Sequence, residues 1–110
     1  MDIIGSLQLR VMHHIWKHGP STVHQVHDAL NSQTDAQQLA YTTILTVMRN
    51  LAKREILDQK RTGRSHVFEP LVTEEDYKRG LLRHICQSFF AGDHEHMIGL
   101  LQAEMAGSRV

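Results

Sequence analysis

Leu39 to Leu57, LAYTTILTVMRNLAKREIL, is the stretch from which the rest of the chain can be read. Ile44, Val47, Met48 and Leu51 recur at i, i+3, i+4 and i+7, so on a helix they share one side, which must pack against a core. Thr42, Thr46, Arg49 and Lys53 then fall together on the opposite side, hydroxyls toward the N-terminal end and cations toward the C-terminal end. Short hydroxyls let a helix approach base edges and thymine methyls, and long cations further along reach phosphates on a groove rim. Taken alone, the same pattern describes an ordinary amphipathic surface helix. The flanking residues decide between the two.

From Arg49 to Arg64 the chain carries six cations (Arg49, Lys53, Arg54, Lys60, Arg61 and Arg64) against Glu55 and Asp58, a local +4 in a molecule whose formal charge is zero. Ile56 to Arg61 and His66 to Glu69 read as two short strands about Thr62-Gly63-Arg64-Ser65, with the glycine permitting a positive φ at the turn. A helix suited to the major groove followed by a basic hairpin is the layout of a winged helix, an elaboration of helix-turn-helix geometry. The expected fold class is therefore mainly α with a small β-hairpin.

The totals restrict the alternatives. A length of 110 residues fits one small domain, or one domain plus a helical extension. Lys plus Arg and Asp plus Glu are 12 each, so an argument for a nucleic-acid partner rests on charge distribution and not on net charge. The single cysteine, Cys86, excludes an internal disulfide framework and a multi-cysteine zinc site. The N-terminus Met1 to Ser6 lacks a basic region followed by a long apolar run, and no eighteen-residue apolar stretch occurs, so a cytoplasmic protein without a membrane span is expected.

Ahead of the deciding stretch, Ser6 is expected to cap a first helix running to about Lys17. Leu7, Val11, Met12, Ile15 and Trp16 form its apolar face, and Gly19-Pro20 stops it. Trp16 is expected in the core under the third helix. Thr22-Val23-His24-Gln25 is a capping box opening a second helix that buries Val23, Val26 and Leu30, with His24 and Gln25 facing outward or toward a DNA backbone. Asn31 to Gln38 reads as a polar loop.

Beyond the hairpin, Pro70 ends the second strand and Thr73 precedes an acidic first turn, Glu74-Glu75-Asp76, suited to the positive end of a helix dipole. Tyr77, Leu81, Ile85 and Phe89, with Leu82 and Phe90 beside them, form a broad stripe ending at Gly92. Asp93 then caps a shorter helix carrying Met97, Leu100 and Leu101. These helices have little else in the chain to cover them, which predicts two-fold pairing with a second copy. The expected division is a winged-helix DNA-binding domain over 1–72 and a helical dimerisation region over 73–110.

With these residues assembled, the chain resembles the penicillinase and methicillin-resistance repressor family of bacterial winged-helix regulators, which also includes copper-responsive repressors. The resemblance runs nearly end to end. It rests on Leu7, Val11-Met12, Ile15-Trp16 and Gly19-Pro20; on Thr22-Val23 and Val26; on Ala40-Tyr41-Thr42-Thr43-Ile44-Leu45-Thr46-Val47-Met48; and on Gly63-Arg64, Val67-Phe68, Pro70 and Val72. It continues through Glu75-Asp76-Tyr77, Leu82 and Phe90-Ala91-Gly92-Asp93. The Tyr-Thr-Thr-x-x-Thr block is its most specific part.

The resemblance implies a homodimeric repressor on double-stranded DNA, placing its recognition helices in successive major grooves of an inverted-repeat operator and controlling antibiotic-resistance or stress genes. It places Thr42, Thr43 and Thr46 at base edges and nearby phosphates, with Tyr41, Arg49, Arg61, Arg64 and Ser65 on the backbone. No cofactor is implied. Leu100-Leu101 stands where family members have an Asn-Phe cleavage pair, and Val110 falls about where the family's last dimer helix would begin. The copper-responsive branch's C-terminal cysteine cluster has no counterpart in the chain. The residues assign neither an inducing signal nor a protease.

Two other readings compete with this one, and a third keeps its fold. His84, Cys86, His94 and His96 lie near one another in sequence, so a metal-responsive sensor using ligands in the dimer region is conceivable. Pairs two apart on a helix point to different faces, however, and a site would have to be assembled across helices or subunits. No Ser/His/Asp set, phosphate loop or carboxylate pair stands out, and Cys86 in an apolar helix lacks the electropositive setting of a reactive thiol. The chain is therefore not expected to be an enzyme. A winged helix used for protein contact would share the fold but lose the salt dependence of duplex binding.

Overall fold

The computed structural model describes residues 4–32 and 38–107. Most of the loop expected between Asn31 and Gln38 lies outside those residues. The elements in chain order are helix α1 (Ser6–His18), strand β1 (Ser21–Thr22), helix α2 (Val23–Asn31), helix α3 (Tyr41–Lys53), strands β2 (Leu57–Thr62) and β3 (Ser65–Pro70), and helices α4 (Glu74–Phe90) and α5 (His94–Gly107). They divide into two compact units, one reaching to Glu74 and one starting at Glu75.

In the first unit, α1 starts one residue earlier than a Ser6 cap allows. Gly5 occupies the cap position, and its N–H donates to Gln8 Oε1 at 3.0 Å. Gly19 ends the helix at φ 88°, a left-handed conformation that costs glycine least. The α2 capping box is present: Thr22 Oγ1 accepts from the Gln25 N–H at 3.2 Å, and Gln25 Oε1 accepts from the Thr22 N–H at 2.9 Å. Trp16 departs from expectation. It is half-buried, and its indole N–H donates to the Val72 carbonyl at 3.0 Å, tying α1 to the segment after the sheet.

The sheet has three antiparallel strands in the order β1-β3-β2, one more than the expected hairpin. Ser21 pairs with Phe68 and Thr22 with Val67, so the short β1 covers the edge of β3 away from β2. On the other edge the hairpin register runs from Leu57 opposite Pro70 to Thr62 opposite Ser65. This leaves Gly63-Arg64 as a two-residue turn, with Gly63 in its first position at φ 62°, as a type II′ turn demands.

The core of the first unit is drawn from α1, α2 and α3 and from β2 and β3. Val11, Met12 and Ile15 of α1, Val26 and Leu30 of α2, and Ile44, Met48 and Leu51 of α3 close over Leu57 and Phe68. Each such side chain withdrawn from water contributes about 1.5–3 kcal/mol before entropy is charged against it. The exit from α3 is held by two backbone bonds, Glu55 N–H to Ala52 O at 3.0 Å and Ile56 N–H to Leu51 O at 3.0 Å. This is a Schellman closure with Glu55 at φ 60° where glycine usually sits, followed by buried Ile56.

In the second unit, α4 ends through Ala91 (φ 49°) and Gly92 (φ 80°), and Asp93 Oδ1 caps α5 by accepting from the His96 N–H at 3.0 Å. Tyr77 and Cys86 are buried, while Leu82, Phe89, Ile98, Leu100, Leu101 and Met105 are exposed. Leu81, Ile85, Phe90 and Met97 are half-buried. No helix among the described residues is long and apolar enough to cross a membrane.

Candidate nucleic-acid interface

The apolar stripe of α3 fixes which way its other side looks. With Ile44, Met48 and Leu51 wholly withdrawn, Thr42, Thr43, Thr46, Arg49 and Lys53 are all exposed. The helix starts at Ala40 with no side-chain cap, and a clamp one residue earlier positions the chain's entry into it. Asn31 Oδ1 accepts from the Leu39 N–H at 2.8 Å, and Asn31 Nδ2 donates to the Leu39 carbonyl at 2.9 Å. His27 Nε2 lies 2.9 Å from that same carbonyl, a bond requiring the tautomer with its proton on Nε2. The last turn of α2 thus holds the approach to α3 across the intervening loop.

Facing α3 is the hairpin. Between them and the first turn of α2 lies a cleft of about 390 Å³, whose polar walls are His24 from α2, Tyr41 and Arg49 from α3, and Arg64, Ser65 and His66 from the turn and β3. The His24 and Tyr41 rings are 4.7 Å apart and tilted by 42°. The structure therefore brings Tyr41, Arg49, Arg64 and Ser65 into one concavity. Thr42, Thr43, Thr46 and Lys53 are exposed on α3 but do not line it. Arg61 is exposed on β2, with its Nε donating to Gly63 O at 3.1 Å across the turn.

Two of the six clustered cations are engaged elsewhere. Arg54 is half-buried and donates to Gln8 Oε1 at 3.2 Å, on the scaffold side. Lys60 Nζ sits 2.7 Å from Glu69 Oε1 across the hairpin. That hydrogen bond and the carboxylate charge raise the lysine's pKa above its ordinary value. The charge available for an anion is concentrated on Arg49, Lys53, Arg61 and Arg64.

Sequence reasoning gave no role to His66 or to the His27–Asn31 clamp. Histidine within a strand has no spacing signature, and the clamp joins residues eight and twelve positions apart through a backbone carbonyl. His24 lies on the outward side, as its place after the cap indicates. Around the tail histidines considered as metal ligands, His84 Nδ1 faces the Ser88 hydroxyl at 3.5 Å and His96 packs edge-on against Phe90 at 5.2 Å. Among the described residues no three His, Cys, Asp or Glu side chains gather into a metal-binding group, so the metal-sensor reading gains no support.

Three helices against a short three-stranded sheet, with the third helix exposed beside a hairpin, define a winged-helix protein. The sequence profile of the Penicillinase repressor family matches residues 4–107, and the chain belongs to that family, one of regulators and not of enzymes. It is 36% identical over 107 residues to the Transcriptional regulator BlaI of Mycobacterium tuberculosis, in strains CDC 1551 and H37Rv alike. That alignment covers 96% of this chain and 65% of the relative. The chain thus spans under two thirds of the length of the curated relatives it matches.

Among solved structures, the DNA-binding domain of the repressor BlaI is similar with a TM-score of 0.58 and 31% identity, over 67% of this chain and 87% of that one. The Bacillus licheniformis BlaI monomer in complex with the blaP half-operator gives a TM-score of 0.57 and 30% identity, over 69% and 89% of the two chains. The Thermotoga maritima transcriptional regulator Tm0710 shares the fold at a TM-score of 0.52 and 13% identity, over 96% and 78%.

Proposed function

We propose that this chain acts in the cytoplasm as a homodimeric transcriptional repressor, binding an inverted-repeat operator with α3 in the major groove and the β2–β3 hairpin on the flanking backbone. The observation that carries the reading is the outward face of α3, where Thr42, Thr43 and Thr46 are exposed beside a cleft holding Arg49 and Arg64. A related BlaI bound to a half-operator supports it. On this reading residues 1–72 bind DNA and residues 73–110 pair the subunits through Tyr77, Leu81, Leu82, Ile85, Phe89, Phe90, Met97, Leu100 and Leu101. The exposure of Leu82, Phe89, Leu100 and Leu101 supports the pairing, since helices of this composition remain soluble by covering such side chains.

The test is duplex binding across a salt series. Log K should fall steeply with log salt, by about 0.9 for each phosphate neutralised. Thr46→Ala should weaken binding to the selected operator by about 1–3 kcal/mol and random duplex far less. Arg64→Ala should weaken both equally and flatten the slope by about 1. Leu82→Asp should sediment as a monomer and bind the operator poorly, because each half-site loses its linked partner. A salt-independent association, or a Leu82→Asp variant that stays dimeric, would overturn the corresponding half of the reading.

A further inference from the structure

We propose that the cleft between α3 and the hairpin is a seat for a backbone phosphate whose hold is set by protonation of His24 and His66; this rests on the DNA-binding reading above. The titratable and charged groups that line the cleft are Arg49 and Tyr41 on α3, His24 on α2, Arg64 at the turn and His66 on β3, with Arg61 opposite His66 in the hairpin and no carboxylate among the lining residues. A concavity bearing two permanent cations and two imidazoles, and no acid to neutralise them, is built for an anion. Its floor is made by the apolar Leu45 and Phe68, so a bound anion loses part of its water and feels the cations more strongly than at an open surface.

His24 and His66 come from different elements on the walls of this one cleft and are both exposed, so neither is engaged in holding the core. Ring contact with Tyr41 keeps His24 over the N-terminal end of α3. There the phenol can donate to the same phosphate, and the N-terminal end of α2, whose Thr22, Val23 and His24 line the cleft, adds its positive dipole end. Imidazole is the side chain whose charge changes between about pH 5 and 8. Binding to a phosphate favours the protonated ring, so by linkage proton uptake and DNA binding strengthen each other. The repressor grips DNA harder in mild acid and lets go more readily in mild alkali, through the sequence-independent part of its affinity.

The experiment uses the full chain and a short random-sequence duplex, measuring the slope of log K against log salt near pH 8 and near pH 6. The slope should steepen in acid by up to roughly 0.9, the value for the one phosphate that the cleft holds. H24N/H66N should lose the acid increment, its slope being the same near pH 8 and near pH 6 whatever its absolute affinity. H13N/H18N, altering exposed histidines of α1 that line a separate groove, should retain it. An unchanged wild-type slope overturns the proposal, and so does an increment that survives in H24N/H66N or disappears in H13N/H18N. Failure of the wild type to bind duplex at either pH removes the DNA-binding reading itself, which separates the two outcomes.

Discussion

In α3, Ile44, Met48 and Leu51 are withdrawn from solvent completely, whereas in α5, which carries Met97, Ile98, Leu100, Leu101 and Met105, no residue is buried. α5 is the more apolar helix of the two, but its apolar residues run around it instead of along one side. A helix with one apolar stripe can be satisfied by a single neighbour, and α3 finds its neighbours within the first unit. A helix that is apolar on several sides needs more surface than one adjoining helix supplies. The difference separates a unit that closes its own core from helices whose apolar side chains stay exposed, which on the proposed reading a second copy covers.

The largest effect expected from that contrast comes from two phenylalanines. Phe68 is fully buried at the centre of the sheet, and Phe89 is 71% exposed on α4. Phe68→Ala should cost about 3–5 kcal/mol of unfolding free energy. Phe89→Ala should leave the first unit's unfolding within about 0.5 kcal/mol while weakening self-association. Urea unfolding at two protein concentrations checks both, because only the association-dependent part moves with concentration. Equal, concentration-independent losses would mean that the tail completes a core of its own.

Helix caps sharpen the comparison at a smaller scale. Thr22 and Asp93 use the same chemistry, a side-chain oxygen accepting from the third helical N–H. Thr22→Ala should lower the stability of the first unit by about 1 kcal/mol, since α2 cannot fray without opening Val26 and Leu30 to water. Asp93→Ala should reduce the helical circular dichroism of the tail and hardly move the first unit's midpoint. Glu55→Gly acts in the opposite direction. Relieving a left-handed residue with a Cβ should stabilise by roughly 0.5–1 kcal/mol, net of the entropy that glycine adds to the unfolded chain.

What could be read from the residues depended on whether the signal was periodic. The stripe of α3, the Thr22 box and the Gly63 turn repeat at distances set by local backbone geometry, so their elements are legible in one dimension. β1 was not, because two residues carry no period and Thr22 already reads as a cap; its pairing to Val67 is visible only once β3 is placed. The cations look alike in sequence, yet Glu69 and Gln8 draw Lys60 and Arg54 away from the face that Arg49 and Arg64 share. The cleft gathers His24, Arg49 and His66 from three elements. Proximity of that kind is a property of packing and leaves no spacing to find.

The smallest effect concerns acid, and it should fall on the self-sufficient unit. Burial of the His14 ring, and then the charge of His18 at a ring distance of 4.6 Å, lower its pKa below the ordinary imidazole value of 6.5. The unfolded chain therefore binds that proton more readily than the folded one. Stability contributed by the neutral ring is intact above pH 6.5 and is lost progressively as pH falls from there through the lower folded value, after which the loss is constant. His14→Gln removes the proton difference, so its thermal midpoint should decline less than the wild type's across that window, with the two curves parallel above it. The ring is only partly buried, and solvent screening keeps the effect small, so calorimetry in closely spaced buffers is the measurement to use. A variant that loses as much stability in acid as the wild type would place the acid sensitivity elsewhere, and α1 would then need no protonation argument at all.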